Sequence, residues 1–221
     1  MKTNRTLSVI FALALVLFLL TAAISLPIYG RGFYYAHIEA MDLPALTGRS
    51  AEEIRAAYDE VLDYLTKPNR EFGTGVFPHS EEGAAHFADC KVLFDLNRNV
   101  LLLSGAALLV LLLLRKLKKT GPYRLGKKSA AFWAAVAAVV MPIVLGGLAA
   151  LNFDRAFVVF HTIFFPGKSN WVFDWYRDAI IQALPQDFFM HCAMLIGGGL
   201  LLFSAAVLGL DFLWEKKSKE S

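Results

Sequence analysis

Two histidines stand where an imidazole could work as an acid or a base. His86 has Asp89 three residues on, in AHFADCKVLF, so that on a helix the two share a face within hydrogen-bond reach. A carboxylate so placed fixes the tautomer of the ring and strengthens it as a base. His161 is embedded in an aromatic run, with Phe157 to Phe160 before it and Thr162 to Phe165 after it. An ionisable ring in such surroundings at a membrane boundary is a functional candidate. Each has a plainer reading, a polar helix face for His86 and a core imidazole bonded to a carbonyl for His161. Beyond the Pro166-Gly167 turn, Asn170 and Trp171 carry donors suited to a developing oxyanion, or equally to a turn cap and an interfacial anchor. Asp174 and Asp178, four apart, share a face of a helix predicted over 173–184, which Pro185 ends. Lys91 and Arg98, further along the His86 helix, are suited to an anionic headgroup or to balancing the acids.

Other chemistries lack their signatures. The chain has no G-x-S-x-G elbow, no H-E-x-x-H, no phosphate-binding loop and no dinucleotide fingerprint. A zinc site drawn from His79, His86, Asp89 and His161 would lack any tight ligand pair, so neither a metal nor a cofactor is expected. Cys90 and Cys192 lie in or beside apolar helical runs without C-x-x-C spacing; they read as buried small hydrophobes rather than a disulfide.

The elements that must position these residues are membrane helices. Of 221 residues, 57% are hydrophobic and the mean hydropathy is +0.50, which argues against an ordinary soluble domain. Lys2 and Arg5 precede an apolar run from Leu7 to Leu26, long enough to span a bilayer. An uncleaved span is favoured over a signal peptide ending near Ala23-Ile24-Ser25, and on either reading the region after Leu26 is exported. Arg115, Lys116, Lys118, Lys119, Arg124, Lys127 and Lys128 crowd one loop with no acid among them, which makes that loop cytoplasmic rather than a nucleic-acid patch. Lys216, Lys217 and Lys219 mark the tail as cytoplasmic too. Four spans with both ends inside satisfy every loop.

The predicted architecture is a mainly α integral membrane protein: four transmembrane helices with an extracytoplasmic module of amphipathic helices and short strands. The first span covers 1–29 and the module 30–83. An extracytoplasmic helix then continues into the second span over 84–114, whose apolar part from Val100 is short. A basic loop at 115–129 leads to the third span at 130–151, rich in small residues. The exported loop 152–189 carries His161, the fourth span covers 190–213, and 214–221 is the tail. Within the module, Ser50-Ala51-Glu52-Glu53 is a capping box. Ile54, Ala57, Tyr58, Val61, Leu62 and Leu65 then form one apolar stripe on a helix ending before Pro68. Ser80 caps the His86 helix, with Glu81 and Glu82 at the positive end of its dipole. Pro27 to Arg49 reads as short strand or irregular loop.

Two segments carry a resemblance. EEGAAHFADCKVLF resembles the E…H..DVK element of the bacterial lipoprotein intramolecular transacylases (Lit), and FHTIFFPGKSNWVFDWYRDAIIQALPQDFF resembles their FH..FF…NW.fd…D.li..LP..FF element. Cys90 departs from the usual Val, an apolar-type exchange. The resemblance implies an enzyme of the bacterial plasma membrane, with its active site facing outside. It would move the sn-2 acyl chain of the diacylglyceryl group onto the α-amine of the same N-terminal cysteine, giving a lyso-form lipoprotein. Its partners would be diacylglyceryl-modified lipoproteins and membrane lipid, with no nucleic acid and no partner protein required.

The residues suit that reaction. Donor ester and acceptor amine belong to one molecule, so folding the substrate into an attack geometry is worth roughly 7–11 kcal/mol. An N-terminal ammonium, with a pKa of about 8, can lose its proton to a histidine. His161 is assigned closest to the transfer, with His86 as partner; Asp89, Asn170, Trp171, Asp174 and Asp178 support them. Lys91, Arg98, Phe160, Phe164 and Phe165 are assigned to substrate. Direct attack and an acyl-imidazole intermediate both fit. The rival classes are a membrane scaffold or assembly factor and a metal-dependent membrane hydrolase.

Overall fold

The computed structural model describes residues 3–220, with side chains through 217. Lys2 and Ser221, assigned above to the cytoplasmic flanks, lie outside these residues, as does the Lys219 side chain. The order is α1 Arg5–Tyr29, α2 Arg31–Ala40, α3 Leu43–Thr47, α4 Ala51–Thr66, α5 Glu81–Lys116, β1 Arg124–Leu125, β2 Lys128–Ser129, α6 Ala130–Leu151, α7 Phe153–Phe164, α8 Ile180–Ala183 and α9 Gln186–Glu220. Among the described residues, four helices (α1, α5, α6 and α9) are long and apolar enough to cross a membrane. The chain is a mainly α integral membrane protein. Its contacts resolve into two compact units.

One unit holds α1 up to Leu26, Asn97–Leu148 and the chain from Met194. Its buried positions are mostly small or aliphatic, Ala14, Leu15, Leu19, Ala23, Leu108, Leu111, Ala130, Ala134, Ala138 and Leu200, with Phe11 stacked on Tyr123 beside them. Alanines four apart on α6 let helix backbones approach closely. Leu103, Leu145, Leu148 and Leu202 point outward, the inverse of a water-soluble pattern, because hydrocarbon is their solvent. Hydroxyls in the spans donate back to the carbonyl four residues earlier, Thr21 to Leu17 at 2.7 Å, Ser104 to Val100 at 2.6 Å and Ser204 to Leu200 at 2.7 Å. Each thereby avoids an unpaired polar group in lipid. The short strands fall in this unit's basic loop, not in the module where the sequence predicts them. β1 and β2 pair antiparallel around Gly126, whose φ of +66° suits a tight turn.

The other unit comprises Pro27–Leu96 and Ala149–Ala193. Its core is aromatic and branched-aliphatic, built on Tyr34, Ile38, Leu43, Ile54, Tyr58, Val61, Leu62, Phe77, Phe87, Ile180 and Phe188. The predicted capping box forms: Ser50 Oγ accepts from Glu53 N at 3.2 Å and Glu53 Oε2 from Ser50 N at 2.8 Å. The apolar stripe of α4 is buried along its whole length. The 27–49 segment is neither strand nor irregular loop, but the end of α1 followed by α2 and α3. Tyr34 and Ile38, one helical turn apart, both bury into the core; Tyr34 stacks on Tyr58 with centroids 3.7 Å apart, and its hydroxyl donates to Ala183 O at 2.7 Å. Tertiary packing overrode the strand preference of this Tyr-rich run. The helix predicted over 173–184 is also corrected, since turns occupy Trp175–Ala179 and only α8 is helical.

Candidate active site

His86 lies in the second turn of α5, ahead of the apolar part of that helix, and His161 lies near the end of α7. Their ring centroids are 5.7 Å apart, and the residues are 5% and 7% exposed. Aromatic side chains wall the pair. His86 meets the rings of Phe165 and Phe173 edge-on, at 4.8 and 5.4 Å. His161 packs on Phe157 at 4.3 Å and stacks on Trp171 at 4.6 Å. Phe160 and Phe164, assigned to substrate, are exposed on α7, whereas Phe165 is buried beside His86.

Local helical geometry sets the tautomer of His161. Its Nδ1 lies 2.8 Å from Phe157 O, one turn earlier, and since a carbonyl only accepts, Nδ1 carries the proton and Nε2 the lone pair. His86 Nε2 faces Cys90 Sγ at 3.4 Å. Its other nitrogen, Nδ1, is buried and without a hydrogen-bond partner among the described residues. An unmet buried polar group costs about 1–3 kcal/mol, which a fold tolerates mainly where function uses the group.

Burial pushes the His86 imidazole down to about 4; His161 nearby and, more weakly, Lys168 act the same way, and Asp89 pulls upward. Burial lowers His161 too, partly offset by its bond to Phe157 O. Both rings are therefore neutral bases at pH 7.

Asp89 does not take the role expected from i, i+3 spacing. Its oxygens are occupied by Lys168 Nζ at 2.5 Å and Asn170 Nδ2 at 3.1 Å, and these bonds, Lys168 foremost, hold its carboxyl below the usual range. A full cation outcompetes a neutral imidazole for the carboxylate. Asn170 thus spends a donor on Asp89, and Trp171 Nε1 donates to Lys168 O at 3.0 Å. These donors, read from sequence as suited to an oxyanion, fasten the loop instead.

Asp174 and Asp178 do not share a helix face. Asp174 Oδ1 accepts from the backbone of Tyr176 and Arg177 at 2.9 and 2.8 Å, which lowers its carboxyl. Asp178 is buried and accepts from Ser80 N and Oγ at 2.8 and 2.7 Å. Lys91 Nζ donates to the carbonyls of Tyr64 and Lys67, tying α5 to the end of α4. Arg98 falls in the other compact unit. His79 bonds Thr74 Oγ1 at 2.9 Å, and no cluster of three or more His, Cys, Asp or Glu able to hold a metal occurs among the described residues.

Sequence reasoning missed Lys168, Ser80 as a partner of Asp178, and a second histidine pair. His37 Nε2 and His191 Nδ1 lie 3.0 Å apart, though 154 residues separate them in the chain. The one available signal for Lys168 was a lone cation between two aromatic runs.

A family model described as lipoprotein intramolecular transacylase Lit matches residues 9–189. The solved structure of the membrane integral lipoprotein intramolecular transacylase Lit from Bacillus cereus is similar at 27% identity and a TM-score of 0.89, covering 98% of each chain. Structures of that protein with one histidine replaced by alanine or by arginine give 25% identity and TM-scores of 0.83 and 0.81, covering 98% of this chain and 96% and 94% of theirs. No curated protein sequence matches. The chain is thus an integral membrane acyltransferase by class. It belongs to the lipoprotein intramolecular transacylase (Lit) family.

Proposed function

We propose that this chain transfers the sn-2 acyl group of a diacylglyceryl lipoprotein to the α-amine of its own N-terminal cysteine, with His161 and His86 as the acid–base pair. The observation that carries the roles is that each ring keeps a nitrogen without a hydrogen-bond partner among the described residues. His161 presents a lone pair on Nε2, and His86 the buried Nδ1. His161 removes the proton from the attacking amine, and nitrogen adds to the ester carbonyl. As the tetrahedral intermediate collapses, the carbon–oxygen bond to glycerol breaks and the proton that His161 took passes by way of the adjacent His86 ring to the leaving alkoxide. The products are an amide and a free sn-2 hydroxyl, and both rings end neutral, as they began. Rings that are neutral at pH 7 are free to take up the amine's proton. Asp89, Lys168, Asn170 and Trp171 hold the loop that closes on the pair, and the exposed Phe160 and Phe164 meet acyl chains.

The placement of the basic loop argues for cytoplasmic termini and a site on the outer face of a bacterial plasma membrane. The test is mass spectrometry of a synthetic diacylglyceryl lipopeptide incubated with the protein in proteoliposomes. Conversion to the isobaric N-acyl, S-monoacylglyceryl form, told apart by its fragments, supports the function. An unchanged substrate sinks it.

A further inference from the structure

We propose that Asp178 is a positioning residue for acyl transfer, whose carboxylate pins the start of α5, and so His86, to the loop that follows His161. The inference rests on the histidine-pair reading and extends it to a residue that touches neither ring.

Asp178 is a carboxylate only 4% exposed, yet the groups that donate to it are neutral N–H and O–H groups. Ser80 N and Ser80 Oγ both donate to Oδ1, across 98 residues of chain. Ser80 is in turn the N-cap of α5, because its Oγ accepts from Gly83 N at 2.9 Å. The hydroxyl thus receives from the helix and passes its own proton to Asp178. What offsets the buried charge is the start of α5, where unpaired N–H groups and the helix dipole favour an anion.

Gly83 shows how closely the carboxylate is seated. A Cβ there would collide with Asp178 Oδ1 and press on the Phe173 ring at 3.3 Å. That same ring forms one wall against His86. The loop after His161 is therefore fastened to α5 at two heights, at the N-terminus through Asp178 and at Asp89 through Lys168 and Asn170. His86 lies between the two points. Releasing the upper one lets Phe173 swing from the imidazole, admits water and spoils the approach of the two rings.

The test compares Asp178→Asn and Ser80→Ala with the parent enzyme in proteoliposomes, using the synthetic diacylglyceryl lipopeptide across pH. Both variants are expected to lose about tenfold or more in kcat with KM within about twofold, since a small misplacement at the chemistry is costly. Both should also raise the His86 pKa read by NMR titration, toward an ordinary imidazole, as hydration relieves the burial of His86. Gly83→Ala should cost less in an Asp178→Ala background than in the parent, because the shortened side chain clears the space. A fall in activity without that rise in the His86 pKa marks a purely structural role and overturns the proposal. So does a folded Asp178→Asn with parental kcat and parental His86 pKa. If Asp178→Asn does not fold, Ser80→Ala, which keeps the charge, decides by the same two readouts. Retained activity in His161→Ala would instead overturn the histidine-pair reading itself.

Discussion

The unit that carries the site holds two histidine pairs, and they differ in what their nitrogens are free to do. His37 and His191 bond each other at 3.0 Å, and His37 Nδ1 also donates to Phe33 O at 2.7 Å. Both nitrogens of His37 are spent, Nδ1 on its own helix and Nε2 on joining α2 to the start of α9. His86 and His161 sit with centroids 5.7 Å apart inside an aromatic wall, and each keeps a nitrogen that the fold does not claim. A ring whose nitrogens are both committed gives structure. A ring held in place by one nitrogen leaves the other for a substrate.

The comparison breaks most directly by truncation. His161→Ala and His86→Ala should each lower turnover by about 10²–10⁴, the usual worth of acid–base catalysis, while leaving the protein folded. His37→Ala should keep turnover within about threefold but lower the unfolding temperature, since one hydrogen bond is worth about 0.5–1.5 kcal/mol. A large turnover loss from His37→Ala beside a small one from His161→Ala would reverse the assignment. Lipopeptide mass spectrometry and thermal unfolding in one detergent read both.

Acidity sharpens the contrast. For His86 the folded pKa, about 4, lies below the ordinary histidine value near 6.5. Between those values the unfolded chain binds a proton that the folded chain refuses, so this contribution to stability is full above about pH 6.5 and is lost as pH falls toward 4. Thermal unfolding followed over that window should show the loss, and His86→Gln should flatten it. His161→Ala should raise the His86 pKa, since it removes a neighbouring positive charge and admits water. The histidine signals in NMR titration test this, and a downward shift would contradict it.

Smaller effects come from the loop. Lys168→Ala frees Asp89 from its largest pKa-lowering partner, so the carboxyl should titrate higher. The activity cost should be a few-fold and should shrink in salt, because the Lys168 side chain is 49% exposed and such pairs are worth roughly 0–1 kcal/mol. Trp171→Phe should cost less still, because a phenyl ring preserves the stack on His161 and loses only the bond to Lys168 O.

The sequence by itself determined the four spans, the capping box at Ser50, the α4 stripe and the candidacy of His86 and His161. These come from local rules: an apolar length that must match a bilayer, a 3.6-residue repeat, and a hydroxyl three residues before a carboxylate. The family resemblance joined the two histidines to one reaction. Only the tertiary structure decided which partners Asp89 and Asp178 take. Asp89 turned from His86, three residues away, to Lys168, 79 residues away, because a buried neutral ring offers a carboxylate less than an ammonium does. Asp178 bonds Ser80 rather than lining up with Asp174, because the chain between them turns instead of coiling. Spacing along a helix says which side chains could meet, and competition among all groups in reach says which ones do.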